Sequence, residues 1–128
     1  MAVISRDPVG RLMGMGSTRH GAGMWMQERL SGMALIPLSV WFVFWAISLS
    51  DATYEEVRAS LSGPINTTFM VLFVLLSFWH SRLGVQVIVE DYVHHEVGRG
   101  VALLANIALH VLLGTACVVA VLKVSLGS

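Results

Sequence analysis

The sequence predicts an all-α membrane protein with three transmembrane helices, and three observations predict it. The chain of 128 residues is 55% hydrophobic and only 12% charged, with a mean hydropathy of +0.74, well outside the composition of an ordinary soluble domain. Residues 30–50, 59–81 and 100–122 contain no Asp, Glu, Lys or Arg. Each run reaches the roughly 20 residues that a helix needs to cross about 30 Å of hydrocarbon. None shows the recurrent polar stripe that a helix of a water-soluble protein keeps toward solvent.

The expected organisation is an N-terminal segment over residues 1–29 followed by a transmembrane domain over residues 30–128, with spans near 30–50, 62–88 and 100–123. Pro37 falls inside the first span, where a kink suits it, and Pro64 near the start of the second, where a first-turn proline is tolerated. Trp25, Trp41, Trp45 and Trp79 lie at or within a turn or two of the span ends, the depth at which an amphipathic ring meets the headgroups.

Charge sets the expected orientation. Arg6, Arg11, Arg19 and Arg29 precede the first span, whereas the next connection carries Asp51, Glu55 and Glu56 against Arg58 alone. The positive-inside rule then puts the N-terminus in the cytoplasm, the 82–99 connection on the same side, and the C-terminus outside. Formal net charge is zero, which excludes a basic field for nucleic acid. A single Cys117 in an apolar run excludes a disulfide framework and a multi-cysteine metal site. The first thirty residues have no apolar stretch followed by a small-residue cleavage site, so the N-terminus is read as retained. No internal repeat is present, which argues against an inverted-repeat transporter within this chain.

The informative residues are polar ones in apolar places. His80 lies in the cytoplasmic part of the second span, where an ionisable group is costly without a partner, a cavity or a cofactor. His110 lies near the middle of the third span with Asn106 one turn before it, and both interhelical hydrogen bonding and cofactor contact fit it. If the second helix runs on past His80, the eleven steps to Asp91 turn through about 1100°, which returns Asp91 to within roughly 20° of the His80 stripe and about 16 Å along it. Ser77 and Gly84 share that stripe and are small enough to admit a flat group or another helix. An imidazole at this depth suits axial ligation of haem. A carboxylate beside a phenol at the interface, Asp91 and Tyr92, suits a quinone site, which needs a hydrogen-bond donor to a carbonyl and a group that resupplies its proton.

Taken together, His80, Gly84, Asp91, Tyr92, Val93 and Arg99, with Trp25, Gln27, Arg29 and the acidic Thr53-Tyr54-Glu55 connection, resemble the hydrophobic membrane anchor subunit of succinate dehydrogenase, respiratory complex II. The resemblance covers most of the chain. It implies that His80 is one axial ligand of a haem b whose other ligand belongs to a second anchor, the cytochrome b subunit, within a heterodimeric anchor bundle. It further implies that Tyr92 donates a hydrogen bond to ubiquinone, that Asp91 positions that phenol or delivers protons, and that Arg29 meets the haem propionates or the quinone pocket. The implied partners are that second anchor, an iron–sulfur subunit and a flavoprotein subunit, which do the succinate chemistry that this chain does not. The implied location is a bacterial inner membrane, favoured over a mitochondrial one by the absence of a targeting presequence.

Other readings stay open on the residues alone. A fumarate reductase or diheme anchor would use more than one His pair, and His80 with His110 is one such pair within the chain. A non-redox scaffold or small transporter subunit would use both histidines only to cross-link helices. His20, His94 and His95 carry no assigned role, and Glu90 is a second carboxylate beside Asp91, able to shift it by like-charge repulsion.

Overall fold

A computed structural model of the chain describes the backbone of residues 8–127 and the side chains of residues 22–127. Four helices follow in order: α1 (Pro8–Ser48), α2 (Tyr54–Ser62), α3 (Pro64–Tyr92) and α4 (Glu96–Leu126). Among the described residues there is no strand, and three stretches, Ala22–Ser48, Pro64–Tyr92 and Glu96–Leu126, are long and apolar enough to cross a membrane. The all-α, three-span expectation therefore holds, and the protein is a multi-pass membrane protein. In hydrocarbon no water pairs with a free N–H or C=O, so helices that satisfy their own backbone are the form such segments must take. At about 1.5 Å per residue the 29 residues of α3 extend about 43 Å, more than the bilayer core alone requires.

The helix ends follow from particular residues. The charge-free run 59–81 is divided at Gly63, whose extended backbone (φ −64°, ψ 133°) precedes Pro64. A residue before proline is pushed out of the helical region, and Pro64, lacking an N–H, then opens α3 at its first position, where that donor would be unpaired anyway. The acidic connection is itself a helix, which the sequence reading treated only as a link. At the start of α2 the Glu56 carboxylate accepts from the Thr53 backbone N–H at 2.7 Å and from its hydroxyl at 2.8 Å. These bonds hold the Glu56 carboxyl below its ordinary range, the backbone N–H being the larger cause. His95 caps α4 by accepting from the Gly98 N–H at 3.2 Å, and Gly127, at φ 75°, closes it with an N–H to the Lys123 carbonyl.

Helix α3 is the middle of an open layer. It packs against α1 on one side and α4 on the other, while α1 and α4 make no contact among the described residues. Trp41 meets Phe69 edge-on at 5.3 Å and Phe42 stacks on Phe73 at 4.7 Å between α1 and α3. On the far side Gly114 of α4 lies against Phe78, and Asn106 Nδ2 donates to the Arg82 carbonyl at 3.0 Å. Helix α2 is fastened to α1 by Trp45 Nε1, which donates to Ser60 Oγ at 3.0 Å.

Very little apolar surface is enclosed. Among the described residues only Leu61, Met70 and Leu83 are buried hydrophobics, while Phe44, Ile47, Leu104 and Leu112 are among the many large ones left exposed. A layer with two open faces of this kind is finished by lipid and by other helices, not by water.

Candidate functional site

The second-span histidine points away from α4 and toward α1. His80 Nδ1 lies 3.0 Å from Ser31 Oγ, and the same hydroxyl lies 3.0 Å from the Glu28 carbonyl one turn back on α1. Gly32, next in sequence, has no side chain where the ring sits: a Cβ there would come within 3.2 Å of His80 Cε1. The ring thus reaches a groove of about 390 Å³ along the α1–α3 seam, walled by Trp25, Glu28, Arg29, Met33 and Ile36. Arg29 enters that groove with its guanidinium 4.8 Å from the centre of the Trp25 ring. Two of the sequence candidates, His80 and Arg29, are therefore brought to one groove by helices that are far apart in sequence.

A flat macrocycle fits what the groove offers. The lining is aromatic and aliphatic at Trp25, Met33 and Ile36, it carries one cation, Arg29, and one carboxylate, Glu28, and an imidazole stands at the seam with glycine rather than a side chain opposite it. No cluster of three or more His, Cys, Asp or Glu able to hold a bare ion occurs among the described residues.

Asp91 and Tyr92 lie elsewhere on the same helix. Helix α3 runs unbroken from His80 through Asp91 and ends at Tyr92, so the premise of the spacing argument, one continuous helix, is met. Both side chains are exposed, Tyr92 to 79%, and neither lines the His80 groove. The Tyr92 carbonyl accepts from His94 Nδ1 at 3.1 Å. Glu90 and Asp91 occupy the last turn of α3 with no basic residue beside them, although the negative end of the helix dipole disfavours anions there. Gln86 Nε2 donates to Glu90 at 2.9 Å, while among the described residues Asp91 has no side-chain partner.

The remaining histidines have local work. His110 Nδ1 donates to the Asn106 carbonyl at 2.8 Å and its Nε2 meets Ser81 Oγ at 3.1 Å, so both ring nitrogens are engaged within the α3–α4 pair. That is the interhelical reading, and His110 lines a pocket on the α3–α4 side rather than the α1–α3 groove that holds His80. His95 is a helix cap. His20 lies outside the residues whose side chains are described.

Ser31 and Gly32 were not singled out from sequence. Both are small residues in an apolar helix, the kind that permits close approach, and that was the available signal.

Comparison with known proteins bears on the chain as a whole. The model of the family described as succinate dehydrogenase/fumarate reductase transmembrane subunit matches residues 4–122. A succinate dehydrogenase hydrophobic membrane anchor subunit from Rickettsia bellii is 27% identical over 106 residues, covering 83% of this chain and 85% of its own. A succinate dehydrogenase membrane anchor subunit from Reclinomonas americana is 30% identical over 89 residues, covering 67% of this chain and 74% of its own. No solved structure matches the chain. The three apolar helices, the family match over nearly the whole length and the named relatives agree: the chain belongs to the succinate dehydrogenase/fumarate reductase transmembrane subunits, and within them it is similar to the hydrophobic membrane anchors of succinate dehydrogenase.

Proposed function

We infer that the chain anchors a succinate dehydrogenase to a bacterial inner membrane, supplies one axial ligand, His80, to a haem b, and contributes Tyr92 and Asp91 to a ubiquinone site. The observation that carries this reading is the α1–α3 groove in which His80, Arg29 and the bare backbone of Gly32 converge. Arg29 is the group there that would pair with carboxylates of the macrocycle's edge. The second ligand comes from a second anchor subunit, and the open faces of the α1–α3–α4 layer give that subunit its seat. When bound, haem b accepts and returns single electrons. The basic residues before the first span put the N-terminus, and with it the α3–α4 connection, on the cytoplasmic side. That is the side on which an iron–sulfur subunit and a flavoprotein subunit would dock.

Ubiquinone becomes ubiquinol by gaining two electrons and two protons, so its site needs both an apolar entrance and access to water. Tyr92 and Asp91 are both exposed at the end of α3, which gives the access to water. Tyr92 O–H donates to a quinone carbonyl, which localises charge on the oxygen that is to be protonated. Asp91, exposed beside it, returns a proton to the phenol from the aqueous side. The electrons come from the soluble subunits, so this chain is a structural part of the quinone reductase and does no succinate chemistry.

The test is the reduced-minus-oxidised visible spectrum of the membrane complex purified through this chain, unmutated beside His80→Ala. A b-type band that is lost or shifted in the variant supports the ligand assignment. A complex with no such band, or a band indifferent to His80, sinks it.

A further inference from the structure

Resting on the ligand reading above, we propose that Ser31 is a positioning residue for His80: its hydroxyl fixes the imidazole with a proton on Nδ1 and leaves the Nε2 lone pair for the iron.

Hydrogen-bond direction fixes the tautomer. A serine hydroxyl has a single proton, and Ser31 Oγ has two neighbours at 3.0 Å, the Glu28 carbonyl and His80 Nδ1. A carbonyl oxygen can only accept. The Ser31 proton therefore goes to Glu28, and toward His80 the hydroxyl offers only a lone pair. Both contacts are satisfied together in one arrangement alone, with His80 Nδ1–H donating. A neutral imidazole protonated at Nδ1 is unprotonated at Nε2, the nitrogen a metal takes.

Three features make this more than a passing contact. Ser31 is only 5% exposed, so no solvent competes for its hydroxyl. Glu28, Ser31 and Gly32 sit within one turn of α1, so the carbonyl that orients the hydroxyl and the glycine that makes room for the ring move as one rigid unit. The contact also crosses from α1 to α3, so it fixes the ring's plane relative to the groove as well as its tautomer. The bond gives the imidazole partial anionic character, which makes Nε2 a stronger donor and favours the oxidised iron.

The test compares the purified complex carrying Ser31→Ala and Ser31→Thr with the unmutated one. Three quantities are read: the haem midpoint potential, the low-field EPR signal of the oxidised haem, and haem transfer to an excess of a scavenging apoglobin. Expected for Ser31→Ala is a raised potential, a moved EPR signal and haem transfer faster by on the order of 10-fold. Ser31→Thr, which keeps a hydroxyl, restores all three. A Ser31→Ala complex with full haem and unchanged potential and EPR signal overturns the proposal while leaving His80 as ligand. A b-type band absent from the unmutated complex, or unaffected by His80→Ala, overturns the ligand reading itself. Should Ser31→Ala fail to assemble, pulsed EPR of the remote imidazole nitrogens in the unmutated complex decides: a hydrogen-bonded N–H supports the assignment, and ligand rings that both have free N–H groups overturn it.

Discussion

Gly32 faces His80 so closely that a Cβ on its backbone would stand 3.2 Å from the imidazole Cε1, across the seam between α1 and α3. Glycine in a helix normally costs about 1 kcal/mol relative to alanine. Crowding a packed site by one methyl costs about 1–3 kcal/mol. For Gly32→Ala these terms nearly cancel, so the expected stability change is within about 2 kcal/mol. The ring, however, must turn by a few tenths of an ångström or more. The expected outcome is a complex that assembles with near-parental thermal stability and an altered haem band. Gly32→Leu, which fills the groove, should assemble with little haem; an unaltered spectrum in the Leu variant would show that nothing flat enters there.

His110 gives the contrasting prediction. Its two ring nitrogens are bonded to Asn106 and Ser81, so His110→Phe should keep the full b-type band. What it loses is a cross-helix hydrogen bond, worth about 0.6 kcal/mol on average inside a membrane. The expected result is a small drop in thermal stability with spectrum and potential unchanged. Loss of haem from His110→Phe would show that the third-span histidine is a ligand after all.

The Glu56 carboxylate at the start of α2 supplies a pH test outside the spans. Its pKa is lowered in the folded chain by the Thr53 N–H and hydroxyl. A lowered carboxyl pKa means that the contribution to stability is complete above the ordinary carboxylate value and is lost as pH falls through the folded value. Hydrogen-exchange protection of the Tyr54–Ser62 amides, corrected for the intrinsic rate, should therefore decline as the pH drops through the acid range. In Glu56→Gln, which can still accept from Thr53 without charge, that decline should vanish. A pH-independent α2 in the unmutated protein would mean that the carboxylate contributes nothing to it.

The spans were legible because the bilayer is an intolerant solvent: runs such as 100–122 exclude charge for more than twenty residues, and only a helix satisfies such a backbone. The His80–Asp91 register was legible because α3 contains no proline between them. Helix α2 was hidden because it is only nine residues long and bears three charges, so its apolar stripe of Tyr54, Val57 and Leu61 is too short to stand out; what defines it is the Thr53–Glu56 pair and the Gly63-Pro64 break. The partners of His80 were hidden for another reason. Ser31 is 49 residues away, and which face of α1 meets α3 is decided by packing among Trp41, Phe42, Phe69 and Phe73, which the pattern of hydropathy does not encode.

The end of α3 sets stability against function. Asp91 sits in the last helical turn, where the dipole makes a carboxylate unfavourable by about 0.3–1 kcal/mol at an exposed site, and no basic residue in that turn offsets it. Asp91→Asn removes the charge and keeps the shape, so exchange protection of the last α3 amides should rise. If Asp91 resupplies the proton that Tyr92 donates, quinone reduction in the same variant should slow by roughly 10²-fold or more, with the haem band intact. Tyr92→Phe should slow it similarly without touching the helix end. The two readouts move in opposite directions for Asp91→Asn, which a merely structural carboxylate would not produce. Rapid quinone turnover in both variants would remove the pair from the chemistry and leave the solvated helix end as their whole explanation.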